Sequence, residues 1–267
     1  MSKAQTLVFH SFKGGTGKTT LVANISAILA SRGFKVCLFD FDLYAPSMVS
    51  YFKKTPDRYV HELLAGTAEV SDVFVDMTNE IDVSGELFVG FSSPRKSDIQ
   101  SIEGRQNSSW QLNALRRFIA VKEQLLKKDG FDYILIDTSP GIRYWSISAL
   151  ALADMLLVLM KTNDMDILGT KKMIEEIYDT ITRSGSEKKL ILNKVPGASP
   201  FVAWSGESAL IDMQKDVEDT IGLPVLTSIP CYCDVQFNRH EYLSSIKLPD
   251  HPFAKRINNV VDLLLAS

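Results

Sequence analysis

The sequence predicts an α/β fold, a mostly parallel twisted sheet of about seven or eight strands with helices on both faces. Three observations predict it. Short apolar runs rich in β-branched and aromatic residues alternate with stretches of helical periodicity. Most of the runs are continuous rather than alternating, as in strands buried on both sides. The first run also passes through a glycine-rich turn straight into the first helical pattern. The runs are TLVF (6–9), FKVCLF (34–39), ELFVGF (86–91), YILI (133–136), MLLVLM (155–160), KLILN (189–193) and PVLTSI (224–229). Helical patterns fall at 18–31, 108–128, 144–153, 165–183, 207–221 and 252–265. The stretch 55–107 is the least regular, and loops and short helices are expected there. In sheets of this kind ligands gather outside the carboxyl ends of the strands.

A chain of 267 residues without an internal repeat, long linker or low-complexity tract reads as one domain, 1–267. Apolar residues are 45% and charged residues 23%, the balance of an ordinary globular protein. Lys plus Arg is 29 against 32 for Asp plus Glu, a net charge of −3, which excludes a strongly basic nucleic-acid module but not a local basic patch. The three cysteines are too few for a disulfide framework, and the start MSKAQTLVF lacks the pattern of a secretory leader. Asp154 interrupts the best apolar stretch, SISALALADMLLVLM, before it reaches the roughly 18 residues a membrane span needs. A cytoplasmic protein is expected.

The chemistry centres on HSFKGGTGKTT, between the first strand and the first helix. Strand, glycine turn and helix in that order aim backbone N–H groups and the positive helix end at one point, which suits a polyphosphate. Gly14, Gly15 and Gly17 permit close approach of the backbone, with Thr16 and Thr20 completing the cradle. Lys18 supplies a point charge to the β and γ phosphates, and the Thr19 hydroxyl can hold Mg²⁺. The general pattern GxxxxGK[ST] would put its first glycine at position 12, where Phe12 stands. The segment from Lys13 to Thr19 resembles instead the deviant Walker A motif of the MinD/ParA family of P-loop ATPases. In that family the additional lysine, here Lys13, reaches across a nucleotide-sandwich dimer to the partner's phosphates. The resemblance therefore implies an ATP- and Mg²⁺-dependent ATPase, a P-loop NTPase fold and a homodimer formed on ATP binding.

Acidic residues follow in the expected order. The strand that ends FKVCLFDFDLYAPS brings Asp40 and Asp42 to the carboxyl edge. The resemblance makes this switch I, with Asp42 orienting the attacking water and Asp40 near the metal and the dimer surface; the lesser alternative is that both are capping or turn residues before Pro46. In FDYILIDTSPGI, Asp137 ends a buried strand where an acidic residue binds Mg²⁺ through water, and Thr138-Ser139-Pro140-Gly141 resembles the family's switch II. Asn193 can donate and accept at an adenine edge. The aspartate of a guanine-type NKxD frame is missing after it, and Pro230 and its loop complete the base site by resemblance.

The resemblance leaves three outputs open. One is spatial organisation, either chromosome or plasmid partitioning or the positioning of cell division or cargo, driven through a protein activator or cargo adaptor. Basic pairs such as Lys53-Lys54, Arg116-Arg117 and Lys171-Lys172 would contact nonspecific DNA or lie dispersed on solvated faces. A peripheral membrane contact is disfavoured, because the C-terminal segment has core-type apolar spacing at Ile257, Val260, Val261 and Leu264 without a basic face. The others are a metal or iron-sulfur carrier using Cys231 and Cys233, and an ATP-dependent adaptor that does not hydrolyse.

Overall fold

The computed structural model describes residues 5–104, 108–183, 185–196 and 207–266. The strands are β1 (Gln5–His10), β2 (Lys35–Phe41), β3 (Phe74–Asp76), β4 (Glu86–Gly90), β5 (Tyr133–Thr138), β6 (Met155–Met160), β7 (Glu187–Val195) and β8 (Val225–Pro230). They form an eight-stranded sheet in the order β3-β4-β2-β5-β1-β6-β7-β8. Every pairing is parallel except β3 with β4. The seven apolar runs match the seven parallel strands, and β5 and β6, deep in the sheet, are buried at every residue.

The principal helices are α1 (Lys18–Ser31), α2 (Ser108–Glu123), α3 (Tyr144–Leu150), α4 (Asp164–Met173), α5 (Glu207–Ile221) and α6 (Pro252–Leu265). Side chains of successive strand residues point to opposite faces, so β1 sends Leu7 and Phe9 to one core and Val8 to the other. The first core lies under α1 and α6, the second under α2 to α5. α1 is enclosed almost all round, from Leu21 to Ala30. In α6, Ile257, Val260, Val261 and Leu264 are buried against the sheet and α1, which is the core-packing role their spacing predicts.

Two predicted helices are interrupted. α2 continues as a π-helical turn, Gln124–Lys128, and α4 runs into a second, Ile174–Tyr178, before a last short turn. Such one-turn bulges leave the apolar periodicity nearly intact, so the sequence pattern passes over them. The irregular stretch contains the expected short helices, among them Val60–Ala65 and Thr78–Ile81, and also β3, which was not expected. β3 is three residues long, too short for a periodic signal. It is seated because Gly90 has no side chain: a Cβ there would come within 2.7 Å of the Phe74 ring.

Among the described residues no helix is long and apolar enough to cross a membrane.

Candidate active site

β1 lies between β5 and β6, and the chain leaves it for β2 on the far side of β5. The loop after β1 therefore opens at a topological switch point, the crevice where open α/β sheets bind ligands. Gly15 and Gly17 hold φ of +75° and +89°, values that strain any residue with a Cβ. Gly17 is also the N-cap of α1 and offers no side-chain cap. The first N–H groups of α1 are thus left for a ligand, the arrangement that accepts phosphate.

Lys18 is buried, and its Nζ donates to Ser11 Oγ (3.0 Å), which in turn donates to the Lys13 carbonyl (2.7 Å). Burial lowers the Lys18 pKa; Asp137 and Asp42 oppose that shift. Thr19 Oγ1 donates to Asp137 Oδ2 at 2.6 Å. The second carboxylate oxygen, Asp137 Oδ1, is buried without a hydrogen-bond partner. Burial pushes the Asp137 carboxyl up from 3.8 to about 6, against the pull of Lys18 and the Thr19 hydroxyl, with Asp42 adding to the rise. Three carboxylates, Asp40, Asp42 and Asp137, thus act on one another around one buried lysine. Hard oxygen donors, an orphaned carboxylate oxygen and a shortage of positive charge together fit a divalent cation such as Mg²⁺.

Asp40 and Asp42 part company. Asp42 Oδ1 accepts from Ser139 Oγ (2.6 Å) and from Ala45 N (3.1 Å), which ties the loop after β2 to the loop after β5. The Arg143 guanidinium over the Tyr44 ring, 4.8 Å from its centroid, is a second tie. Asp40, by contrast, is closed in: the residue is 1% exposed. Its carboxylate accepts the N–H groups of Asp42 (3.2 Å) and Ser92 (3.4 Å), and burial raises its pKa well above the usual range. The reason is that β2 runs one residue past Asp40, to Phe41, and carries it under the edge.

Lys13 stands apart from Lys18. Its side chain is 37% exposed, and its Nζ pairs with Asp166 Oδ1 at 3.3 Å. Asp166 sits in the first turn of α4, where its N–H donates to the N-cap Asn163 (3.1 Å). Phe12 explains how α4 comes this close: its ring lies against Gly169, where a Cβ would meet it at 2.0 Å. The sequence reading singled out neither Asp166 nor Gly169. The usable signal was NDMD two residues after an apolar strand, an acidic helix start at the carboxyl edge.

Asn193, buried at the end of β7, donates through Nδ2 to the Thr16 carbonyl (2.7 Å) and so ties the base strand to the phosphate loop. Part of the donor capacity expected at a base edge is used here. Gly17 makes the contact possible, since a Cβ would come within 2.5 Å of that amide nitrogen. Beside it a cavity of about 140 Å³ is lined by Thr20, Asn193, Pro230, Tyr51, Tyr232 and Tyr242, among others. Flat aromatic walls beside a buried amide suit a base. Thr16, Gly14 and Gly15 thus lie in one loop, with Thr20 and Asn193 on its cavity side and Asp137 bonded to Thr19 on the other.

A family model described as an AAA domain matches residues 4–191. The septum site-determining protein MinD of Neisseria meningitidis serogroup B is 28% identical over 237 residues, covering 85% of this chain and 78% of the relative. The chromosome-partitioning ATPase Soj of Treponema pallidum is 27% identical over 176 residues, 65% of this chain and 63% of the relative. The solved structure of the septum site-determining protein MinD of Pyrococcus horikoshii, complexed with Mg-ADP, superposes with a TM-score of 0.73 at 19% identity over 97% of this chain and 95% of that one, and shares the fold. A phosphate loop opened by Lys13, the sheet order around it and the match over most of the chain place this protein in the MinD/ParA family of P-loop ATPases.

Proposed function

We propose that residues 1–267 act as one magnesium-dependent ATPase domain whose ATP-bound form pairs face to face with a second copy and serves as a switch in spatial organisation. The cargo end of that switch is chromosome or plasmid partitioning, or the positioning of cell division or cargo, in line with the relatives named MinD and Soj. The observation that carries the reading is the contrast of two lysines on one loop. Lys18 is buried against its own site, whereas Lys13 is half exposed and held aside by Asp166.

In this reading Gly14, Gly15, Thr16, Gly17 and Thr20 cradle the phosphates, and Lys18 neutralises charge that develops on them. Thr19 and Asp137 would hold Mg²⁺, with Asp40 behind them; the ion would neutralise phosphate charge beside three carboxylates. Asp42, aimed by Ser139, orients the attacking water. Asn193 and Pro230 face the base. Lys13 leaves Asp166 and enters the partner's site. Loss of the γ-phosphate frees Asp42 and Gly141, the latter bonded to the Ser11 carbonyl (2.9 Å), and the dimer parts.

A protein activator or cargo adaptor fits a switch of this kind, in the cytoplasm. A broad DNA-binding face receives little support. Lys54 pairs with Glu80, Lys127 with Glu123, Lys172 with Glu176 and Lys188 with Asp179, so these cations are matched locally. Cys231 and Cys233 are exposed and form no disulfide, and among the described residues no group of three or more His, Cys, Asp or Glu side chains gathers around them.

Lys13→Ala tests the reading. ATP binding by the monomer should persist, while ATP-dependent dimerisation in sedimentation and turnover both fall at least about tenfold. Wild-type behaviour in both assays would remove the cross-dimer role. Co-sedimentation of the ATP-locked protein with DNA, with vesicles or with neither then identifies the matrix.

A further inference from the structure

His10 is the last residue of β1, directly before the phosphate loop, and is fully buried. Its Nδ1 lies 2.6 Å from Thr138 Oγ1, in switch II. The Thr138 hydroxyl has one proton, and it is committed to the Phe9 carbonyl at 2.7 Å. A carbonyl can only accept, so at Thr138 the hydroxyl oxygen receives and the imidazole gives. His10 is therefore the Nδ1–H tautomer. Burial, reinforced by the nearby charge of Lys18 and opposed by the Gly141 backbone, holds the ring neutral, with its pKa depressed to about 3. The other nitrogen, Nε2, is left an acceptor and is buried without a partner. Its ring meets Tyr178 edge-on at 5.7 Å, and the Tyr178 hydroxyl is likewise buried and unpartnered.

What His10 does not touch is as informative. The phosphate-loop contacts of Lys18, Thr19 and Asn193 run through Ser11, Asp137 and Thr16. The hydrogen bond from His10 reaches Thr138, whose neighbour Ser139 donates to Asp42, and the backbone group that pulls on its ring, at Gly141, lies in the same segment. We propose that His10 is a positioning residue for ATP hydrolysis: its Nδ1–H clamps Thr138 and so holds switch II in the register at which Ser139 aims Asp42. The inference rests on the role given to Asp42 above and adds a residue that acts through switch II. It follows that His10 governs the rate of the chemical step and not the affinity for nucleotide.

The experiment combines imidazole nitrogen NMR with kinetics. The spectrum should show His10 as Nδ1–H, and an Nε2–H tautomer would overturn the clamp. His10→Leu should lower kcat by at least about tenfold, with the Kd for a fluorescent ATP analogue within about twofold of wild type. His10→Asn, whose amide nitrogen takes the place of Nδ1, should restore kcat to within about threefold, and His10→Gln, whose amide lies where Nε2 was, should not. Tyr178→Phe should leave kcat unchanged. A folded His10→Leu with wild-type kcat, joint loss of binding and turnover, rescue by Gln as good as by Asn, or a Tyr178→Phe as slow as His10→Leu each overturn the proposal. Should His10→Leu fail to fold, Thr138→Val removes the acceptor and keeps the ring, and the same fall in kcat at unchanged Kd is expected; normal kcat there overturns it too. A wild-type protein that hydrolyses no ATP sinks the functional reading itself, whereas a hydrolysing protein indifferent to His10 sinks only the positioning role.

Discussion

Asp40 on β2 and Asp137 on β5 are register partners on neighbouring strands, and each is 1% exposed. Burial raises the pKa of both. Their surroundings differ all the same. Asp40 spends its two oxygens on the N–H groups of Asp42 and Ser92, and Ser92 Oγ donates to its main-chain carbonyl (2.7 Å). Asp137 takes one hydroxyl, from Thr19, and leaves its other oxygen unmatched at the mouth of the phosphate loop. The end of β2 is thus a closed hydrogen-bonded corner and the end of β5 an open one. Equal burial does not make equal function; unspent hydrogen-bonding capacity facing a ligand site does.

That contrast can be broken most sharply at Asp137. Asp137→Asn should lower ATP turnover by about a hundredfold or more and blunt its magnesium dependence, read in a steady-state assay across Mg²⁺ concentrations. A small effect would mean that the open oxygen has no metal to serve.

The next effect is on stability. The folded protein holds the Asp137 proton more tightly than the unfolded chain, from 3.8 up to about 6, so in the ligand-free protein this group's contribution declines as pH rises through that window. The shift corresponds to roughly 3 kcal/mol. His10 pulls the opposite way, because its depressed pKa makes the unfolded chain bind more protons below about 6.5. The comparison is therefore between wild type and Asp137→Asn in urea from pH 4 to 7, without nucleotide or Mg²⁺. The wild type should lose ground to the variant as pH rises; a constant difference would deny that burial strains this carboxylate.

Asp40→Ala should act through the fold, leaving two buried N–H groups unpaired at a cost of about 2 kcal/mol, visible as a lower denaturation midpoint. If it lowers turnover as much as Asp137→Asn without that loss of stability, the closed corner is part of the reaction after all. The smallest effect belongs to the surface. Lys172→Ala breaks an exposed pair with Glu176 at 3.8 Å and should change stability by less than about 0.5 kcal/mol.

Much of this was legible in the chain. Continuous apolar runs such as MLLVLM are possible only where both faces are covered, so the parallel strands could be located from one sequence. Gly15 and Gly17 announce the loop because few other residues tolerate its backbone angles. β3 was hidden, since its seat depends on space left by Gly90 across the sheet. Asp166 was hidden because it stands more than a hundred residues from the lysine it restrains.

The sequence by itself determined the fold class, the phosphate loop and the order of acidic residues along the edge, because periodicity and backbone permissiveness are local properties. Only the tertiary structure decided that Asp40 is closed and Asp137 open, that Asn193 ties the phosphate loop to β7 and that His10 meets Thr138. Those outcomes depend on which polar atoms, distant in the chain, meet away from water, and a hydrogen bond is assigned only when both of its partners are in place.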